Sequence, residues 1–538
     1  MNTKHRSRMF YFALLAMLLS ACVLHTTAAT AEINSMGVDC STINVPKLMM
    51  EDNMRAGRIL LECGIIPGAQ RSESAVDHTP AAPPNVRVSN SSTCNSSSDL
   101  CGSESMSAAS TADKGQTIVV NFNANGGGAG GDYSGQAYST DGGTTFTEIY
   151  AFDSSSHGTN YGDPLVVFNS KLGKFFGGDL VSGGDCGDEG IGLWTSTDGK
   201  TWTTGACAHA GEEDDRPSMW SDNEPTSGTY GRMYISWNDF TTGCGAGGCL
   251  FVTYSDDGKT WSTPVELAGK SGVFYRDVQI TGSPRGATIN SGDATVFVAS
   301  MDEGGGGTAT RQNIMYYSTN GGKSWKLVTM GARFNPPGNV NCGYFEAIAP
   351  IWRHMGWGEP AVGPNGVVHY DFAGAGTHGD LGDIFYTRST DDGKTWSKPI
   401  KLNTDSDNQY RTQWMPSLNA TSDGNLTASW YDRRKAKSTC SSAGDPGCNY
   451  ERVGIQSSNN GASWGSEITI STKVIAQPVQ DDGGVQPCYA GDYDYSTALN
   501  AADAGNSTGT AYVHWTDGRK KVGGVHEENV DFATFAQP

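Results

Sequence analysis

The chain has 538 residues, 71 of them glycine, with 13 Trp, 21 Tyr and 18 Phe and a formal net charge of −20. Rich in glycine and aromatics and poor in long helical patterns, it reads as an all-β protein with many turns. It carries no basic stripe of the kind nucleic acid needs, which excludes that partner; the acidity serves solubility.

Residues 1–21 read as a targeting segment. "MNTKHRSR" is basic, "MFYFALLAMLL" is apolar but too short to span a bilayer, and "LSAC" follows. Leu19-Ser20-Ala21-Cys22 resembles a bacterial lipobox, in which Cys22 would be lipidated; the alternative is ordinary cleavage after Ala31. Either route exports the chain, as an outer-membrane lipoprotein or as a periplasmic or extracellular protein. Membrane contact is expected only through the lipid anchor.

Setting Cys22 aside from the 13 cysteines leaves 12, an even number that suits disulfides in an exported chain. Close pairs in sequence are Cys40–Cys63, Cys94–Cys101, Cys186–Cys207, Cys244–Cys249 and Cys440–Cys448, with Cys342 and Cys488 left to pair at long range. None has zinc-type spacing.

Residues 22–84 are expected to form a small helical element and a linker. "NVPKLMMEDNMRAGRILLECG" puts Val45, Leu48, Met49, Ala56, Ile59, Leu60 and Cys63 near one helical face. The element is either a spacer or a pad on the main domain. "AQRSESAVDHTPAAPP" reads as the linker.

From 85 to 538 the chain repeats a turn phrase. Its copies are "STDGGTTF" (139–146), "STDGKTW" (196–202), "SDDGKTW" (255–261), "STNGGKSW" (318–325), "STDDGKTW" (389–396) and "SSNNGASW" (457–464), spaced 57 to 71 residues apart. Asp or Asn bonds nearby amides, Gly takes a positive φ, hydroxyls tie the flanks and the aromatic packs down. These copies resemble the Asp boxes, or BNR repeats, of the sialidase-like β-propellers. The resemblance implies a propeller with the boxes on the face opposite the active site.

Inner-strand phrases recur between the boxes, from "ESMSAAS" through "GDYDYSTALN", and make seven units against six boxes. The last unit lacks a fourth strand, which "PPNVRVSN" (83–90) could supply from the N-terminal side, closing the ring. Seven blades are favoured, six being the alternative.

Aligning the units puts Asp163, Arg216, Asp277, Glu359, Met415 and Asp492 at equivalent inner-strand starts. This acidic ring with interleaved arginines has three readings: a salt-bridged rim, a glycan-processing site, or a cation site suited to structural Ca2+. The family resemblance implies a Tyr nucleophile, a helping Glu, an Asp acid/base and an arginine clamp. On this chain those are Tyr493, Glu359, Asp277 or Asp163, and Arg216, Arg276 and Arg519, with Arg433 and Asp492 as further substrate contacts. The family's "RIP" tripeptide is absent; "DRP" at 215–217 is a loose echo. "WYDRR" (430–434), "GDY" (491–493) and "WTDGR" (515–519) resemble exported bacterial proteins of this group. The expected function is an exo-glycosidase, sialidase-like, acting on surface or extracellular glycans as a monomer with no catalytic cofactor. The alternatives are a non-catalytic glycan- or protein-binding propeller and a polysaccharide lyase with His378 as base. The Gly-rich "NANGGGAGGDYSG" (123–135) has no helix after it and reads as a loop.

Overall fold

The computed structural model describes residues 36–49, 51, 53–65, 83–89, 102–124, 132–150, 152–244, 247–270, 272–287, 292–338, 340–342, 345–347, 352–353, 356–406, 411–436, 438, 440, 446–478, 489–522 and 525–538. The targeting segment, Cys22, most of the linker, Cys94, Cys101, Cys488 and most of the Gly-rich loop lie outside these, and the side chain of Cys342 is likewise not described. Met1–Asn44 and Val45–Pro538 are separate compact units. In the first, Asp39 accepts the backbone N–H of Ser41 at 2.9 Å.

The second unit is a ring of seven sheets, antiparallel except that Asp494–Tyr495 runs parallel to the first inner strand. The first has strands Ser103–Ala109, Ile118–Asn123, Ser134–Ser139 and Thr147–Tyr150. Inner strands of the next five are Leu165–Asn169, Asp214–Ser221, Tyr275–Gly282, Pro360–Val362 and Gln413–Ala420. The seventh runs Thr497–Leu499, Thr510–Thr516 and Val530–Ala536, and its outer strand is Val86–Arg87, paired as Val86 with Phe532 and Arg87 with Asp531. The N-terminal strand thus closes the ring as expected, and no blade is left with an open third-strand edge there.

Hydrophobic core lies between neighbouring blades. Second strands are buried except at some ends, and Met233–Asp239, Val368–Gly374 and Leu426–Asp432 along their whole length, because both faces meet another sheet.

The six turn phrases share one geometry. In each, the glycine N–H donates to the leading Ser Oγ, at 2.9 to 3.1 Å. Asp or Asn Oδ1 accepts the N–H of the following Thr or Ser at 2.8 to 3.0 Å. The turns join third to fourth strands, so they lie on the face where first strands end.

Helices Val45–Leu48 and Met54–Glu62 belong to the same compact unit as the ring. Ala56, Ile59 and Leu60 are buried, Arg55 pairs with Glu189 at 3.2 Å, and Asn53 Nδ2 donates to Asp215 at 3.1 Å. The element is a pad on the ring. Disulfides Cys186–Cys207, Cys244–Cys249 and Cys440–Cys448 form as paired in sequence, and Cys40 and Cys63 are each disulfide-bonded.

Candidate functional site

Inner strands enter the ring through a repeated backbone strain. Glu104, Asp163, Arg216, Asp277 and Met415 all adopt left-handed φ, between 41° and 58°. Register shifts at Ser103/Ser105, Asp215/Ser218, Arg276/Gln279 and Trp414/Ser417 mark bulges at four of these sites. A bulge re-aims its side chain, here toward the axis, and each left-handed non-glycine residue costs about 1–3 kcal/mol. Five such residues in equivalent places at one end of the ring make that end the candidate site.

Arg216 is the centre of the cluster. Its guanidinium lies 3.7 Å from the Trp357 ring centre and 4.3 Å from that of Tyr493. Nη2 donates to Tyr495 Oη at 2.6 Å and stands 3.6 Å from Asp277 Oδ1. Its backbone N–H donates to Asp163 Oδ2 at 2.8 Å. Asp277 in turn accepts from Tyr370 Oη at 2.8 Å, from Gly358 N at 3.0 Å and from Tyr495 Oη at 3.3 Å. Tyr493 and Tyr495 stack, with centroids 4.9 Å apart. The two phenols are neighbours on one wall because the segment 493–495 is extended beside the first blade's inner strand.

Burial sets the charges. It pushes the Asp277 carboxyl up to about 6, against the pull of Arg216 and three hydrogen bonds. It raises Asp163 too, with Asp215 adding repulsion. The Tyr493 phenol is raised by burial and then by Asp163 and Glu104 beside it. Tyr493 Oη and Asp163 Oδ1 are both buried without a hydrogen-bond partner. Each keeps hydrogen-bonding capacity that no neighbouring side chain or backbone group takes up.

Of the residues expected at the site, Tyr493, Asp163, Asp277 and Arg216 come together. Glu359 opens the fifth inner strand but spends Oε2 on Ser417 Oγ at 2.8 Å and Leu418 N at 2.7 Å, toward the sixth blade. Asp492 is clamped by Arg353, with Nε at 2.9 Å, and the strand opens two residues later, at Asp494. Arg276 faces Asp215 at 3.7 Å and the Phe240 ring. Arg519 contacts Asp517, Asp531 and Thr472 on the outer side of the seventh blade. Arg433 donates to the Gly447 carbonyl. His378 is exposed on its loop.

The "WYDRR" and "WTDGR" phrases have a structural role. Trp430 and Trp515 donate their indole N–H to Asp432 and Asp517, at 3.1 and 2.9 Å, and Arg434 and Arg519 grip the same carboxylates. Trp357, Tyr370, Tyr495 and Glu104 were not expected at the site. The alternation of Tyr493 and Tyr495 in "GDYDYS" was a usable signal for one of them.

His157, Asp185 and Cys186 are the one group among the described residues whose ligating atoms lie within 4.8 Å of one another. Cys186 is in a disulfide, which leaves two ligands and no cation cage.

No family model and no curated protein matches the chain. Among solved structures it is similar to the Hadza microbial sialidase Hz136, at 15% identity over 77% of this chain and 73% of that one, with a TM-score of 0.40. It is similar to an α-L-arabinofuranosidase of Fusarium graminearum solved with arabinobiose, at 12% identity over 70% and 95%, TM-score 0.39. It is also similar to the NanB sialidase of Streptococcus pneumoniae, at 13% identity over 88% and 71%, TM-score 0.36. The site is therefore read from this chain's own geometry.

Proposed function

We propose that the protein is an exported glycan-acting propeller, an exo-glycosidase whose reacting groups are Tyr493, Asp163 and Asp277 around Arg216. The observation that carries this is the buried Tyr493 hydroxyl without a partner beside a buried Asp163 oxygen without a partner, with a guanidinium on the ring face. Tyr493 Oη attacks the anomeric carbon and Asp163 takes its proton. The glycosidic C–O bond breaks, and Asp277 gives its proton to the leaving oxygen. Water then cleaves the Tyr–sugar bond, its proton going to Asp277 and that of Asp163 returning to Tyr493. Burial raises both carboxyls, Asp277 to about 6, and the scheme needs one of the two protonated while the other is ionised. No step in this scheme calls on a cofactor.

A sialoside is not the favoured sugar. The three-arginine clamp expected for its carboxylate has one member, Arg216, in the cluster. Export through residues 1–21, with lipid attachment at Cys22, belongs to the same proposal, and the disulfides support an oxidising compartment. The test is turnover of aryl glycosides by the mature protein and by Tyr493→Phe. A second reading, a non-catalytic binding propeller with a plugged axis, is favoured by burial: Arg216 is 1% exposed, Tyr493 5% and Asp277 0%. Absence of turnover across the panel would select it.

A further inference from the structure

Beneath the Arg216 cluster the seven inner strands line a half-open chamber of about 250 Å3. At about 30 Å3 per water this is room for several waters, and it approaches the lower end of small-ligand pockets. One end is capped by Tyr495 and Glu359. The other end, on the face of the box turns, is bridged. Arg285, after the fourth inner strand, reaches Asp503, after the seventh, with Nε to Oδ1 at 2.7 Å. Arg285 Nη1 donates to the Asn223 carbonyl of the third blade at 3.1 Å. Asn500 Nδ2 donates back to the Arg285 carbonyl at 3.1 Å. The bridge joins blades that are not neighbours, so it crosses the mouth rather than following its rim. The Arg285 side chain is 33% exposed and that of Asp503 10%, so the bridge meets solvent on its arginine side.

The wall has hydrogen-bonding capacity it does not use. Asn419 lines the chamber with neither Oδ1 nor Nδ2 partnered, and Thr421 Oγ1 and Ser496 Oγ line it likewise without partners. All three are more than nine-tenths buried. An amide and two hydroxyls offer donors and acceptors together and no charge. The charged groups of the wall are already engaged: Arg285 with Asp503, and Glu359 with Ser417 and Leu418. A neutral ligand with several hydroxyls matches this wall; an ion does not.

The geometry points to a second ligand site: the axial chamber binds one neutral monosaccharide-sized polyol, admitted past the Arg285–Asp503 bridge. The chamber meets the Arg216 cluster at Tyr495, and binding there does not depend on turnover. The experiment is calorimetric titration of the full mature protein with free D-glucose, D-galactose and D-mannose, repeated on Asn419→Leu, Ser496→Ala, Asp503→Asn and Tyr493→Phe. The expected result is saturable binding of at least one sugar. It weakens by about tenfold or more in Asn419→Leu and measurably in Ser496→Ala. It survives in Tyr493→Phe, and association is faster in Asp503→Asn. Thermal unfolding of each variant separates loss of binding from loss of fold, and Ser496→Ala, which removes one oxygen, serves if Asn419→Leu does not fold. No saturable binding to the wild type or to Asp503→Asn overturns the proposal and leaves a water-filled chamber. Binding lost in Tyr493→Phe but unchanged in Asn419→Leu and Ser496→Ala also overturns it, by placing the sugar at the Arg216 cluster.

Discussion

Gly258, in the third box turn, lies so close to Phe176 of the preceding blade that a Cβ on it would come within 2.2 Å of the ring. The relation recurs around the ring: Gly143 against Phe532, Gly322 against Tyr234, Gly393 against Phe297 and Gly461 against Tyr386. Each turn therefore seats its glycine on the blade before it. Gly258 also has φ +69°. Gly258→Ala is expected to cost about 2–4 kcal/mol, adding backbone strain to overpacking. Gly173, at φ +62° with nothing within 4 Å, is the control, and Gly173→Ala should cost about 1 kcal/mol. Urea unfolding of the pair checks the difference.

Arg216 should be intolerant of replacement for reasons of stability as well as chemistry. Removing it leaves Asp277 buried without its cation and strips a planar group from between two rings. Arg216→Ala should destabilise by about 3–5 kcal/mol. Arg216→Lys should not rescue it, because an ammonium neither stacks as a plane nor forks. Denaturant midpoints of the two variants test this.

Stability should be greatest in mildly acid solution. Asp277 and Asp494 are pushed up to about 6, and Asp214 to about 7, all chiefly by burial. A carboxyl whose folded value is raised stabilises fully below its unfolded value, near 4, and that stability is lost as pH rises through the folded value. The box residue Asp391 is held down at about 2 by Ser389 and Thr395, and its stabilisation is lost as pH falls from about 4 to 2. The buried imidazoles of His369 and His514, held down to about 3, oppose the first trend between about pH 6.5 and 3, but the buried acids outweigh them between pH 5 and 8. The melting temperature at pH 5 should exceed that at pH 8; the opposite order would refute the assignment of these buried acids.

Arg519 is a strut, not a clamp. Arg519→Ala should lower the melting temperature by loosening Asp517 and Asp531, while KM for any glycoside the wild type turns over stays unchanged. A raised KM with an unchanged melting temperature would return Arg519 to the substrate.

The ring was legible because its signals are local. A box turn is a few residues whose hydroxyl, carboxylate and glycine satisfy one another, and "PPNVRVSN" needed only an unpaired third strand to find its place. The alignment of inner-strand starts put Asp163, Arg216 and Asp277 at equivalent places, where the structure also has them, because the blade period is regular. It did not show which partner each side chain takes. Glu359 turned to Ser417, and Asp492 was taken by Arg353, 139 residues earlier. Arg519 looked like a site arginine because its carboxylate partner, two residues before it, also caps a tryptophan. Trp357 and Tyr370 become visible only when the fifth blade is set beside the third and fourth.

The most direct measurement is hydrolysis of a panel of neutral and acidic aryl glycosides by the mature protein and by Tyr493→Phe, with thermal unfolding of both. The expected result is turnover of at least one neutral sugar, reduced about a hundredfold or more in Tyr493→Phe while the fold is retained. Turnover unaffected by Tyr493→Phe, or a panel on which the wild type is inert, would contradict it.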